Sequence, residues 1–261
     1  MDVLALYSRH FEILLIIWMR VSGLFLLAPI FSSRNIPGLV KIGLSGIIAL
    51  IALPLIPAIE LPRSILEYSL LMITELLIGL TIALLIQVIF AAIHLAGQLI
   101  DMQMGFFIVN VVDPEHGTQV PLIGNFKFLL ALVVFLSLDG HHLLIKAIVN
   151  SFIFLPVGIN IVNQDLVALL IDAFKGMFVT ALQISAPTVG VLFIVTIALG
   201  IIAKTVPQMN VFMVGIPVNI GIGFIMLFVS LPLYVYILAS LFARNYFKID
   251  QFFSYFATRV L

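Results

Sequence analysis

The sequence predicts an all-α, polytopic membrane protein, and two features carry that prediction. The chain of 261 residues is 63% hydrophobic and only 9% charged, whereas soluble domains are about 45–50% apolar and about 25% charged. A water-soluble fold of this size would need a polar shell, so we expect lipid or other membrane subunits to surround the chain. Several charge-free runs are also long enough to cross a bilayer as helices, with proline and glycine between or inside them.

The spacing of charges predicts the helices, because a bilayer core about 30 Å thick takes about 20 apolar helical residues to cross. The predicted segments are Ile13–Phe31, Ile42–Ile59, Leu70–Ile100, Phe126–Leu138 with a continuation to Phe154, and Leu166–Ala203. The first encloses Arg20, and the third has 25 residues without a formal charge after Glu75. The chain does not begin with the basic residues of a cleaved signal peptide, so we expect its N-terminus to be retained.

The final apolar stretch, Thr205–Ala243, contains 39 residues without Asp, Glu, Lys or Arg. One straight helix of that length would measure about 58 Å at 1.5 Å per residue. We therefore expect the stretch to turn or break at the glycine-rich region 215–223, which contains Pro217, and at Pro232. In the tail from Arg244 to Leu261, three of the four charges are positive, which predicts a cytoplasmic C-terminus.

The region from Asp101 to Lys127 is predicted to be a long, partly apolar loop. Its β-branched run at 108–112, between Gly105 and Pro114, disfavours a regular helix. One interpretation is an interfacial loop that packs on neighbouring helices. The other is a hydrophobic plug, because apolar side chains in a constriction exclude water and ions. The residues alone favour neither.

Ionisable residues inside apolar segments could serve a secondary transporter, because a buried charge is costly and is retained for a reason. The candidates are Arg20, Glu67, Glu75, Asp172 and Lys175. Most lie near the end of a predicted segment, where snorkelling or pairing between helices explains them, and Arg20 is the hardest to explain in this way. A transporter that uses Arg20, Glu75 or Asp172 is therefore the alternative function.

Asp139, Gly140, His141 and His142 are predicted to form a polar turn between two apolar stretches. A metal site or a proton relay is the alternative, but metal ligands need a shared face, and adjacent histidines on a helix point in different directions. The sequence therefore predicts no metal site. His94, alone in an apolar segment, is interpreted as a hydrogen-bond donor between helices.

Composition and motifs exclude other functional classes. Twelve Lys and Arg balance twelve Asp and Glu, so no net charge attracts nucleic acid. The absence of cysteine excludes disulfides and thiolate chemistry. Because no P-loop, HExxH, GxSxG or GxGxxG pattern occurs, we predict no enzymatic activity and no cofactor.

Five ordered blocks of the sequence resemble the FliR family, which includes the virulence-type secretion subunits named SpaR and YscT. The blocks are 28–37 with 41–44, 96–105 continuing to 112–114, 139–141, 155–158 and 198–217. They read APIFSSRNIP, AGQLIDMQMG, DGH, LPVG and ALGIIAKTVPQMNVFMVGIP. Their order over nearly the full length makes the match specific, although each block alone is a weak signal in so apolar a chain.

The resemblance implies a subunit of a type III export gate in the bacterial inner membrane, flagellar rather than virulence-type by default, with residues 1–261 as one FliR-like membrane domain. It implies FliP-like, FliQ-like and FlhB-like partners, unfolded export substrates, contact with lipid, and no catalysis. It further implies bent helical hairpins in a conical ring, which fits our expectation that Pro187, Pro207, Pro217 and Pro232 interrupt the apolar runs.

The resemblance also implies that the loop between the central hairpins projects into the pore as a plug. The matching residues are Gly105, Phe106, Phe107, Ile108, Val109, Asn110, Val111, Val112, Asp113 and Pro114. A purely structural scaffold remains the third interpretation of the chain.

Overall fold

The computed structural model describes residues 3–56, 61–62, 64–106, 121–159, 161, 163–208 and 210–257. This part of the chain contains α-helices and one short 3-10 helix, without strands. The α-helices are α1 (Val3–Leu27), α2 (Gly38–Ala52), α3 (Ile65–Met104), α4 (Leu122–Ser137), α5 (Gly140–Phe154), α6 (Gln164–Thr205) and α7 (Val211–Ala257), and the 3-10 helix is Leu53–Leu55. The all-α prediction is confirmed.

Four of the described helices are long and apolar enough to cross a membrane. They are α1 from Arg9 onwards, α3, α6, and α7 as far as Asp250, and a fifth span results if α4 and α5 are counted together. Helix α2 is apolar but has only 15 residues, fewer than the roughly 17–25 that a span needs. The chain is therefore a polytopic membrane protein.

Most of the predicted proline breaks are wrong. Helix α6 continues through Pro187, and α7 continues for 47 residues through Pro217 and Pro232. Only Pro207 lies between two helices, after Thr205 and before Val211. The physical reason is that an internal proline removes one backbone hydrogen bond, whereas ending a helix leaves about four carbonyls without partners. In an apolar environment, continuing the helix is the smaller cost.

The predicted loop from Asp101 to Lys127 is too long at both ends. Helix α3 continues to Met104, and α4 begins at Leu122, five residues before Lys127. Gly105 ends α3 in the left-handed region, with a φ of 89°, a conformation that glycine adopts without a steric penalty. The segment 107–120 lies outside the described residues.

The chain divides into two compact units. The first contains residues 1–88, 139–173 and 243–261, and the second contains residues 89–138 and 174–242.

In the first unit, α1 and α3 cross with their backbones in direct contact. A Cβ atom added to Gly23 would lie 2.6 Å from the carbonyl oxygen of Leu76, and one added to Gly79 would collide with the carbonyl oxygen of Arg20. Helix α2 packs on α1, where the indole Nε1 of Trp18 donates a hydrogen bond of 2.8 Å to Ser45. Small residues thus allow the close helix contact that membrane proteins use in place of hydrophobic collapse.

In the second unit, a buried apolar cluster joins four helices. Its members are Ile100 and Met104 of α3, Ile123 of α4, Leu192 of α6 and Leu227 of α7. The cluster lies beside the end of α3 and the start of α4, so it holds the two helices that flank the segment 107–120.

Candidate functional site

The predicted plug residues are described only at their first two positions. Gly105 and Phe106 are placed, and Phe107 to Pro114 lie outside the described residues. The site can therefore be built from the two helix ends that carry the segment. We call these two ends the stem. It consists of residues 97–106, which are the last turns of α3 and the two residues after it, and of residues 121–127 at the start of α4.

Phe106 packs into the second unit. Its side chain contacts the buried cluster around Ile100 and Met104, and its ring centroid lies 6.4 Å from that of Phe224 at an angle of 75°. The backbone N–H of Gly105 donates to the carbonyl of Met102 at 3.2 Å. Phe106 therefore anchors the segment to its own unit.

Asp101 supplies a cap for α4. The residue before α4 is Pro121, which makes no side-chain cap, so the first backbone N–H groups of the helix need another acceptor. The Asp101 carboxylate accepts hydrogen bonds from the N–H of Ile123 at 3.0 Å and of Gly124 at 3.2 Å. A negative charge at a helix N-terminus is also favoured by the helix dipole. One side chain thus ties the end of α3 to the start of α4.

A glycine pair brings the same two helices into backbone contact. A Cβ atom added to Gly97 would collide with the backbone of Gly124. A Cβ atom on Gly124 would lie 3.0 Å from the ring of Pro121 and 3.4 Å from the carbonyl oxygen of His94. The stem therefore has little room for larger side chains, and its geometry is fixed from both sides of the segment.

Helix α4 is also held against α7. The hydroxyl of Tyr234 donates a hydrogen bond of 2.8 Å to the carbonyl of Lys127, and the Lys127 ammonium lies 4.2 Å from the centroid of the Tyr234 ring. Both side chains are buried. The hydroxyl thus has a hydrogen-bond partner, and the ring makes a cation–π interaction with the ammonium. Together they hold the α4 part of the stem against α7 at Lys127.

The candidate transporter residues Arg20 and Glu75 form a closed network in the first unit. Arg20 donates to Glu75 at 2.6 Å, to the hydroxyl of Ser151 at 3.0 Å and to the carbonyl of Leu155 at 3.0 Å. The second Glu75 oxygen accepts a bond of 3.3 Å from the N–H of Gly158.

The side chains of Arg20, Glu75 and Ser151 are completely buried. The Arg20 guanidinium also lies 4.0 Å from the centroid of the Phe152 ring. Pairing between helices was one of the explanations for ionisable residues in apolar segments, and Arg20 and Glu75 form such a pair. A guanidinium with a carboxylate, a hydroxyl, a carbonyl and an aromatic face as partners has the contacts of a structural staple, which joins α1, α3 and α5.

The other transporter candidates lie elsewhere. Glu67 is in the first turn of α3, and Asp172 and Lys175 are exposed positions of α6.

The polar turn at 139–142 differs from its prediction in one respect. Asp139 adopts a left-handed conformation, with a φ of 55°, and α5 begins at Gly140. The rings of His141 and His142 lie 4.1 Å apart, so the expectation that adjacent histidines diverge is wrong here. The expectation applied the side-chain directions of a regular helix, whereas these histidines stand in the first turn of α5, directly after the left-handed Asp139.

Gly97, Gly124 and the capping role of Asp101 were not predicted from the sequence. One signal could have indicated the cap: α4 starts after Pro121 without Ser, Thr, Asp or Asn at its N-terminus, which is the usual source of a cap. An acidic residue at the end of the preceding helix is then a natural substitute.

Comparison with known proteins identifies the family. A family model described as "Bacterial export proteins, family 1" matches residues 11–245. The chain belongs to this family. The matched range contains the whole stem, the Arg20 and Glu75 network and the turn at 139–142.

Individual relatives agree with the family match. The chain is 39% identical to the flagellar biosynthetic protein FliR of Bacillus subtilis (strain 168), over 89% of this chain and 91% of that protein. It is 32% identical to the protein of the same name from Escherichia coli (strain K12), over 82% of each chain. It is 30% identical to that of Aquifex aeolicus (strain VF5), over 94% of this chain and 95% of the relative. This member of the bacterial export proteins, family 1, thus aligns with flagellar relatives over most of its length.

Proposed function

We propose that this chain is a subunit of the flagellar protein export gate in the bacterial inner membrane, and that its 105–114 segment closes the export pore at rest. Residues 1–261 act as one membrane domain with a cytoplasmic C-terminus and without catalysis. The names of the relatives and the family match support the export role.

The observation that carries the proposed closure is the stem. The segment leaves α3 at Gly105 and returns at Pro121, and the helices on either side are joined by the Asp101 cap and the Gly97–Gly124 contact. A segment that closes a pore at rest and admits a substrate needs ends that hold their position. The stem supplies such ends, and the apolar residues Ile108, Val109 and Val111 supply side chains that exclude water.

The exposed apolar faces support an assembly with other subunits. On α2, Leu39 is 83% exposed, and on α7, Phe212 and Phe228 are 78% and 75% exposed. Exposed apolar patches of this kind mark surfaces that lipid or partner helices cover. FliP-like, FliQ-like and FlhB-like subunits are the partners that we propose for them.

The proposed pore position can be tested by crosslinking, because the chain has no cysteine of its own. A Phe107→Cys variant, in cells that carry the other export components, should form a crosslink to an export substrate that is stalled by a folded domain at its end. The control is Leu39→Cys on the exposed face of α2. Substrate crosslinks at Leu39→Cys but none at Phe107→Cys would contradict the proposed pore position.

The export role has a separate test. Removing the chain should abolish secretion of flagellar substrates, and expression of the parent chain should restore it. If secretion continues without the chain, the export role fails. If export requires the chain but the Phe107→Cys variant forms no crosslink to the substrate, the chain acts as a scaffold.

A further inference from the structure

Three potential metal ligands converge at the start of α5. One ligand atom each from Asp139, His141 and His142 lies within 4.8 Å of the other two. Oδ1 of Asp139 and Nδ1 of His142 lie 3.4 Å apart. Asp139, the residue before the helix, has a left-handed backbone conformation.

The spacing fits a small coordination sphere. With metal–ligand bonds of about 2.0–2.1 Å, two ligands of a tetrahedral zinc ion lie about 3.3 Å apart. The distance between Asp139 and His142 already matches this separation. The third ligand comes from the neighbouring His141, whose ring centroid lies 4.1 Å from that of His142 and whose ligand atom lies within 4.8 Å of the other two.

Two of the three residues are open to solvent, and the third has a ring nitrogen without a hydrogen-bond partner in the described part of the chain. Asp139 and His142 are 76% and 63% exposed, so an ion can reach them. Nδ1 of His141 is buried and has no hydrogen-bond partner within the described part of the chain. Buried polar atoms normally have a partner, and coordination, or a turn of the ring that presents this nitrogen to the ion, would supply one.

We propose that Asp139, His141 and His142 bind a divalent metal ion, and that Zn²⁺ is the ion they prefer. Two imidazoles and a carboxylate leave the fourth tetrahedral position for water or for a ligand from another subunit. The helix dipole at the start of α5 disfavours a cation by a small amount, and the Asp139 carboxylate offsets it. The ion would tie Asp139 to the first turn of α5. The proposal does not depend on the proposed function of the 105–114 segment.

The test is a metal titration of the full chain, purified in detergent from cells that carry the other export components, with an affinity tag that contains no histidine. After treatment with a chelator, Zn²⁺ is added and binding is measured by competition with a chromophoric chelator. We expect one ion per chain. Co²⁺ in place of Zn²⁺ should give the intense visible absorption of a tetrahedral site.

Three variants identify the ligands. Asp139→Asn keeps a residue that tolerates the left-handed conformation, and His141→Asn and His142→Asn remove one imidazole each. Each should weaken binding at least about tenfold, since losing even an outer-shell partner of a metal site costs about 10–100-fold. His10→Asn, at an exposed position of α1, should bind as the parent does.

Two results would overturn the proposal. One is the absence of stoichiometric Zn²⁺ binding to the parent chain. The other is binding that persists unchanged in all three ligand variants. Because Asp139 and His142 are largely exposed, these two variants should fold, and their circular dichroism spectra and elution volumes check that they do.

Discussion

The Asp101 carboxylate of α3 accepts a hydrogen bond of 3.0 Å from the backbone N–H of Ile123 in α4. A helix cap normally comes from the residue next to the helix, but here it comes from another helix, 22 residues earlier in the chain. The contact closes the base of the segment that we propose as the gate. Its strength and its function can be tested separately.

Replacing Asp101 should loosen the stem. Asp101→Ala removes both capping bonds and should destabilise the chain by about 2–4 kcal/mol, because a cap is worth about 1 kcal/mol and hydrogen bonds to charged groups about 1.5–3. Asp101→Asn keeps one acceptor oxygen and should lose roughly half as much. Thermal unfolding in detergent measures both, with Glu67→Gln at an exposed position of α3 as the control. Equal stability of Asp101→Ala and the parent would show that the cap is unimportant.

Replacing a glycine by alanine should have opposite effects on stability at a position inside the α3–α4 contact and at one outside it. Gly97→Ala places a methyl group against the backbone of Gly124 and should cost about 1–3 kcal/mol through overpacking. Gly200→Ala in α6 meets nothing within 4 Å and should stabilise the helix by roughly 0.5–1 kcal/mol. Both are measured as shifts of the unfolding temperature in detergent. A stabilising Gly97→Ala would mean that α3 and α4 do not touch here.

The Arg20–Glu75 pair predicts a strongly non-additive mutant cycle. Removing one partner of a buried pair leaves an uncompensated charge, at a cost of about 3–5 kcal/mol. Arg20→Met and Glu75→Gln should each destabilise the chain by that amount. The double variant should lose clearly less than the sum, because no charge then remains unpaired. Additive losses in the unfolding measurements would exclude direct coupling between the two side chains.

Two tyrosines of α7 provide a matched test of the contact between α4 and α7. Tyr234→Phe removes the hydrogen bond to the Lys127 carbonyl and should cost about 0.5–1.5 kcal/mol. Tyr236, two residues away, is 73% exposed, so Tyr236→Phe should change stability by less than about 0.5 kcal/mol. If both variants unfold at the same temperature, the buried hydrogen bond does not contribute.

The sequence predicts the class of the fold, because composition and charge spacing carry that information, and it singles out the ionisable residues of the apolar segments. Arg20 and Glu75 were both singled out by their position in apolar segments. Their pairing could not be read from the sequence, because a contact between residues 55 positions apart depends on how each helix is rotated about its axis.

The wrong predictions about where helices end share one physical origin. Pro217 and Pro232 were expected to break α7, and Asp101 was expected to begin a loop. Each expectation used the local preference of a residue, whereas in an apolar environment the need to satisfy every backbone group dominates. The helix therefore continues through the prolines, and Asp101 stays helical because its carboxylate has backbone donors in α4.

The most direct test of the proposed gate is the resting ion leak across the inner membrane of cells that carry the other export components. The parent chain is compared with a variant that lacks residues 107–112 and keeps the anchored Gly105 and Phe106, with copurification of the partner subunits as the check on assembly. If the segment closes the pore, the variant assembles and its leak rises severalfold above that of the parent. An unchanged leak in an assembled gate that still exports substrates would contradict the account.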